Sequence, residues 1–190
     1  MKNNLLLCFV IALVNLIGTL LIGKLAIGQF IWISFLALQF YFMANIAMDK
    51  KACLQLLTSF TVGLFWGQLS NLLWFYFSDS LSFVTINFID GGLLIFLLCV
   101  GALIVFDKKL PGRLPATFTG LTVTVLLWGR PVPFVGQGLL GDRTVIEGMV
   151  IACGLFAYGL LMAFMMDFVY SKVVKRIYGS TSRRAEKESS

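Results

Sequence analysis

From Cys53 to Phe77 the chain carries no charged residue, and five other segments are nearly as apolar. The six run about Leu5–Gly23, Gln29–Met48, Cys53–Phe77, Ser82–Phe106, Pro115–Gly129 and Thr144–Val174. A helix needs about 20 such residues to cross a hydrocarbon core about 30 Å thick. Within hydrocarbon, backbone amides and carbonyls must pair inside the segment, so these runs are expected to be helices. The chain as a whole is 59% hydrophobic and 13% charged, against about 25% charged in a soluble domain. That little charge cannot cover a water-facing surface on a chain of 190 residues. An ordinary soluble enzyme, a disordered polypeptide and a nucleic-acid-binding domain are therefore excluded. The expected fold is an all-α membrane protein, a six-transmembrane-helix bundle over residues 1–178. A basic cytoplasmic tail over 179–190 is expected to be disordered.

Charge placement orients the bundle. With six spans, Lys2, Lys50, Lys51, Lys108, Lys109 and Arg113 share one side with the C-terminal Lys172, Lys175, Arg176, Arg183, Arg184 and Lys187. The other side holds Lys24, Arg130 and Arg143. The positive-inside bias predicts both termini in the cytoplasm, and the compartment expected is the bacterial inner membrane. Trp32, Trp74 and Trp128 then fall at the outer interface, and Tyr170 and Tyr178 at the inner one, as an aromatic belt requires. Trp66 alone sits mid-span. The first apolar run, about 18 residues, exceeds a signal-peptide core and lacks an A-x-A-like cleavage site, so it reads as a retained span. The fifth segment is short, about 22 Å at 1.5 Å per residue. A re-entrant loop there would place the basic C-terminus outside, so a short full crossing is the better reading. The stretch Arg130–Gly141, stopped by Pro131 and Pro133, is expected to fold over the outer mouth.

Polar residues inside the spans are few. Ser59, Gly63, Gly67 and Ser70 recur at helical spacing and form a small-residue stripe, with Gly63 and Gly67 as a GxxxG pair. Such stripes let helix backbones approach closely. This one suits either a homo-oligomer contact or the protomer's own core. Asp90 is the sharpest case, because a charged Asp near the bilayer centre costs about 2.5–3.5 kcal/mol on insertion scales. Spacing places Asn87, Asp90, Gly91 and Leu94 on one inward helical face. The candidate substrate-binding set is Asp90 as ionisable centre, Asn87 and Gln68 as hydrogen-bonding amides, Glu147, and Arg130 as counter-ion. The plainer reading is that Glu147 and Arg130 are solvated loop-edge charges and that Gln68 and Asn71 bond a neighbouring helix. Asp167 reads as structural, neutralised by Lys172 or reached by water. Asn15, Thr19, Gln39, Thr58, Thr61, Thr117, Thr119, Thr122 and Thr124 suit a neutral solute or interhelical bonding.

Catalysis is not expected. Histidine is absent, Cys8, Cys53, Cys99 and Cys153 form no CxxC pair, and no phosphate-cradling glycine loop occurs. No metal and no cofactor is expected.

The run Pro115-Ala116-Thr117-Phe118-Thr119-Gly120 resembles the P-x-T-F-x-G segment of domain-of-unknown-function family 1097. Trp32-Ile33-Ser34-Phe35-Leu36 with Tyr41-Phe42, and the stretch Ser59 to Trp66, resemble that family's segments in the same order. The resemblance implies a small multi-span bacterial inner-membrane protein and no particular activity. Six spans in this length also resemble substrate-binding subunits of energy-coupling-factor vitamin transporters, which need a partner ATPase. The partners expected are thus the lipid bilayer and a small polar solute, not nucleic acid. The function expected is a channel or transporter; the alternative is a partner-dependent binding or structural subunit.

Overall fold

The computed structural model describes residues 2–23, 25, 30–44, 46, 49–101, 113–128 and 145–188. Among them there is no strand. The helices are α1 (Lys2–Gly23), α2 (Trp32–Met43), α3 (Lys50–Phe77), α4 (Phe83–Val100), α5 (Leu114–Trp128) and α6 (Val145–Glu188). Three are long and apolar enough to cross a bilayer: α3, α4, and α6 over Val145–Val173. The other three hold shorter apolar stretches, Cys8–Ile22, Trp32–Met43 and Leu114–Leu127. The helix expected over the fifth segment is present and is 15 residues long. The expected mouth loop, Arg130–Gly141, lies outside the described residues.

Helix starts follow from local chemistry. Asp49 is the N-cap of α3, its carboxylate accepting the Lys51 amide at 2.9 Å. Ser82 caps α4 by accepting the Thr85 amide at 3.1 Å. Each satisfies one of the orphan donors that a helix N-terminus leaves. At the other end of the chain, α6 continues to Glu188. Of the tail expected to be disordered, 179–190, residues 179–188 are helical. Ala, Glu, Lys and Arg are good helix formers, and no proline interrupts them.

The tightest crossing joins α3 to α5. A Cβ at Gly63 would strike the Thr117 carbonyl, and one at Gly120 would strike the Phe60 carbonyl. One turn on, a Cβ at Gly67 would lie 2.6 Å from Thr124 Cβ. The small-residue stripe is therefore occupied from within the chain. Its glycines are needed because backbone meets backbone there, the close approach that small residues permit. A second close crossing sets Gly159 of α6 against the Ser34 carbonyl of α2. Between these two pairs, Phe60 and Phe156 stack at 4.0 Å and 12°, tying α3 to α6. Tyr158 of α6 donates to the Gly18 carbonyl of α1 at 3.0 Å.

Paired residues give the helix directions. Ser59 meets Arg113, Gly63 meets Thr117 and Gly67 meets Thr124, so α3 and α5 run parallel. Ser34 meets Gly159 and Tyr41 meets Asp167, so α2 and α6 run parallel. Phe60 meets Phe156 while Thr61 meets Cys153, so α3 and α6 are antiparallel. Trp66 meets Leu94 and Trp74 meets Asp90, so α3 and α4 are antiparallel.

Burial follows this packing. Half of the α3 span is buried, but only 17% of the α4 span. Helix α4 leans chiefly on α3 and turns Phe83, Val84, Phe88 and Phe96 outward. In water such a surface would drive aggregation; in a bilayer, lipid covers it.

Candidate functional site

The middle of α4 is not an α-helix. Phe88–Leu94 forms a π-helical insert, a feature found mostly as a local bulge and often at functional sites. Wider turns change the angle between successive side chains. The single face expected for Asn87, Asp90, Gly91 and Leu94 is thereby broken. Asp90 is buried, whereas Asn87 and Gly91 are exposed. The Asn87 amide turns back on its own helix, donating to the Phe83 carbonyl at 2.7 Å.

Asp90 is held by α3. The Trp74 indole N–H donates to Asp90 Oδ2 at 2.7 Å, a short hydrogen bond. Trp74, expected in the outer aromatic belt, is also a hydrogen-bond donor to the buried carboxylate. Two turns lower, Trp66 donates to the Leu94 carbonyl at 3.0 Å, at the end of the insert. Both indoles fasten α4 to α3. The sequence signal for Trp66 was its mid-span position, because an indole N–H in hydrocarbon has to find a partner.

Next to Trp74 along α3 lie Asn71 and Gln68, at successive steps of three residues. Asn71 is fully buried, and neither its Nδ2 nor its Oδ1 has a partner. Gln68 is 9% exposed, and its Nε2 has none. On α1, Asn15 Oδ1 is likewise buried and unpartnered. An unpaired buried amide costs about 1–3 kcal/mol by protein mutational measures. Native structures keep few such groups, and each needs a reason. Each NH2 group offers two donors and the Asn71 carbonyl an acceptor. That inventory matches a neutral molecule carrying both acceptors and a donor.

The threonines do not add to it. Thr58, Thr61, Thr117, Thr119, Thr122 and Thr124 all bond the carbonyl four residues back on their own helix. Such back-bonding satisfies a hydroxyl without a neighbour. Thr124 alone among them also reaches a backbone across a helix contact, the Leu64 carbonyl at 3.1 Å. Thr61 adds a 3.4 Å contact to Cys153 Sγ. The interhelical role expected of these residues is thus confined to two of them.

The remaining expected site residues lie apart. Glu147 is exposed in the first turn of α6, beside Ile146, Val150 and Ile151 in a shallow depression. Arg130 lies outside the described residues. Asp167, expected to meet Lys172 or water, accepts from the buried Tyr41 hydroxyl at 3.0 Å. Lys172 sits over the Phe168 ring instead, 4.4 Å from its centroid. At the same end of the bundle the Arg113 amide donates to Ser59 Oγ at 3.0 Å, and Arg113 Nε reaches Gln55 Oε1 at 3.4 Å. Among the described residues, no group of three His, Cys, Asp or Glu side chains could hold a metal ion.

Set against known proteins, the chain matches no family model, no curated protein and no solved structure. The functional reading therefore rests on the residues alone.

Proposed function

We propose that this protein is a six-span protein of a bacterial inner membrane, with both termini cytoplasmic, that binds or passes a small neutral polar solute. The observation that carries the reading is the pair of buried, unpartnered amides, Asn71 and Gln68, in α3, half of whose span is buried. The alternating directions of α3, α4 and α6 support the six crossings, and the antiparallel course of α3 and α6 supports a full fifth crossing over a re-entrant loop, which would leave those two parallel. The basic residues gathered at one side support the orientation. In this reading Asp90 is a structural anchor through Trp74, and the solute meets Asn71 and Gln68.

The test is osmotic swelling of proteoliposomes against small polyols, amides and anions, with Asn71→Leu alongside. Uptake of neutral solutes that the variant loses supports the proposal. Uptake of none, or uptake that Asn71→Leu leaves unchanged, overturns it.

A second reading has its own observation. Asp90 is bonded inside the bundle, as a structural or partner-dependent subunit would have it. The Ser59, Gly63, Gly67 and Ser70 stripe gives that reading no help as a coupling surface, because α5 covers it. Absence of flux, together with a second protein retained through purification from native membrane, would favour the subunit reading.

A further inference from the structure

A groove between the start of α3 and the middle of α6 is lined by Cys53, Leu160, Leu161 and Phe164, with Lys50 at its rim. Its volume is about 270 Å³. A helix, about 10 Å across with its side chains, does not enter a space of that size; a length of hydrocarbon chain does. The wall is open to the bilayer, since Leu161 is 55% exposed. The two helices are antiparallel, so the end of α3 that carries Lys50 lies at the end of α6 that carries Lys172. Eight residues separate Phe164 from Lys172, roughly 12 Å along the helix. The groove thus sits one chain segment below a rim of cations. Two carboxylates share that rim, Asp49, which accepts the Lys51 amide, and Asp167, which accepts from Tyr41; Lys50, Lys51 and Lys172 outnumber them. The Lys172 ammonium lies over the Phe168 ring, a cation–π contact at that rim.

We propose that this groove holds one acyl chain of an anionic phospholipid, whose phosphate is met by Lys50. Basic residues beside a groove between membrane helices recognise anionic headgroups by charge, while the apolar wall orders the chain below. The site needs only that α3 and α6 span a membrane; it does not depend on the solute site at Asn71.

The experiment is native mass spectrometry of the full chain, purified in detergent and equilibrated with phosphatidylglycerol and phosphatidylcholine of matched acyl chains. One phosphatidylglycerol is expected to be retained in preference. Leu161→Trp, which fills the groove from an exposed position, is expected to remove that bound lipid with an unchanged unfolding midpoint. Lys50→Gln is expected to lower the preference for phosphatidylglycerol about fivefold, the ratio that ~1 kcal/mol per basic residue at an anionic surface corresponds to. Equal retention of the two lipids overturns the proposal. So does a preference that survives Leu161→Trp, which would assign it to the general basic rim. Neither readout involves solute flux, so the failure of one proposal leaves the other standing.

Discussion

Substitution of Gly63 by alanine tests the central packing argument. The added methyl would meet the Thr117 carbonyl, a backbone atom that no rotamer change can move aside. Helices α3 and α5 must then separate by about 1 Å. A gap of 0.5–1 Å forfeits roughly a quarter to a half of the dispersion well for the atoms facing it. The loss falls along the whole crossing, including the contact of Gly67 with Thr124 and the Thr124 bond to the Leu64 carbonyl. Overpacking of this kind costs about 1–3 kcal/mol, so Gly63→Ala is expected near the upper end, ~2–3 kcal/mol. Gly120→Ala should cost as much, since its methyl would meet the Phe60 carbonyl of the same crossing. The double variant should fall short of additivity by about 0.5 kcal/mol or more, because the first methyl already opens the gap for the second. Gly91→Ala is the control: nothing lies within 4 Å of a Cβ there, so the change is expected to be neutral or stabilising. Unfolding in mixed micelles by titration with a denaturing detergent, followed by circular dichroism, gives the differences. Equal tolerance of Gly63→Ala and Gly91→Ala would refute the close crossing. A Gly63→Ala variant that lost a dimer while its protomer stayed stable would return the stripe to an intermolecular role.

Trp74→Phe removes the indole donor to Asp90 and is expected to destabilise the bundle by about 1–3 kcal/mol, the range for a buried polar group that loses a partner. Trp74→Phe with Asp90→Leu should recover part of that loss in the same unfolding assay; no recovery would show that the two side chains do not act as a pair. Tyr41→Phe is expected to cost about 1–2 kcal/mol, because the partly buried Asp167 loses a donor; an unchanged midpoint would argue against that bond. Asn71→Leu has the opposite sign. Replacing an unpartnered buried amide by an apolar side chain is expected to stabilise the bundle by about 1–2 kcal/mol while solute uptake is lost. Destabilisation by Asn71→Leu would mean the amide is bonded in the folded protein, and the solute reading would lose its main support.

Apolar runs without charge dictate helices, because hydrocarbon leaves the backbone no other way to pair its amides and carbonyls. The helical character of the described segments, three of them long and apolar enough to cross a bilayer, and the spacing of the glycine stripe are therefore legible from residue order alone. What the stripe packs against is not. Spacing places Gly63 and Gly67 on one face, but only the fold brings Gly120 and Thr124 to that face and closes it within the chain. Partners of the carboxylates were likewise hidden, because charge neighbours in sequence are not neighbours in space: the half-buried Asp167 meets Tyr41, 126 residues away, in place of Lys172. A regular helical wheel misplaced Asn87 and Gly91, since it assumes a constant turn and α4 widens to a π insert at Phe88–Leu94. Hydrophobicity is a local property and is written in the order of residues. Hydrogen-bond satisfaction belongs to pairs brought together by packing. Only the tertiary structure could therefore separate the bonded Asp90 from the unbonded Asn71.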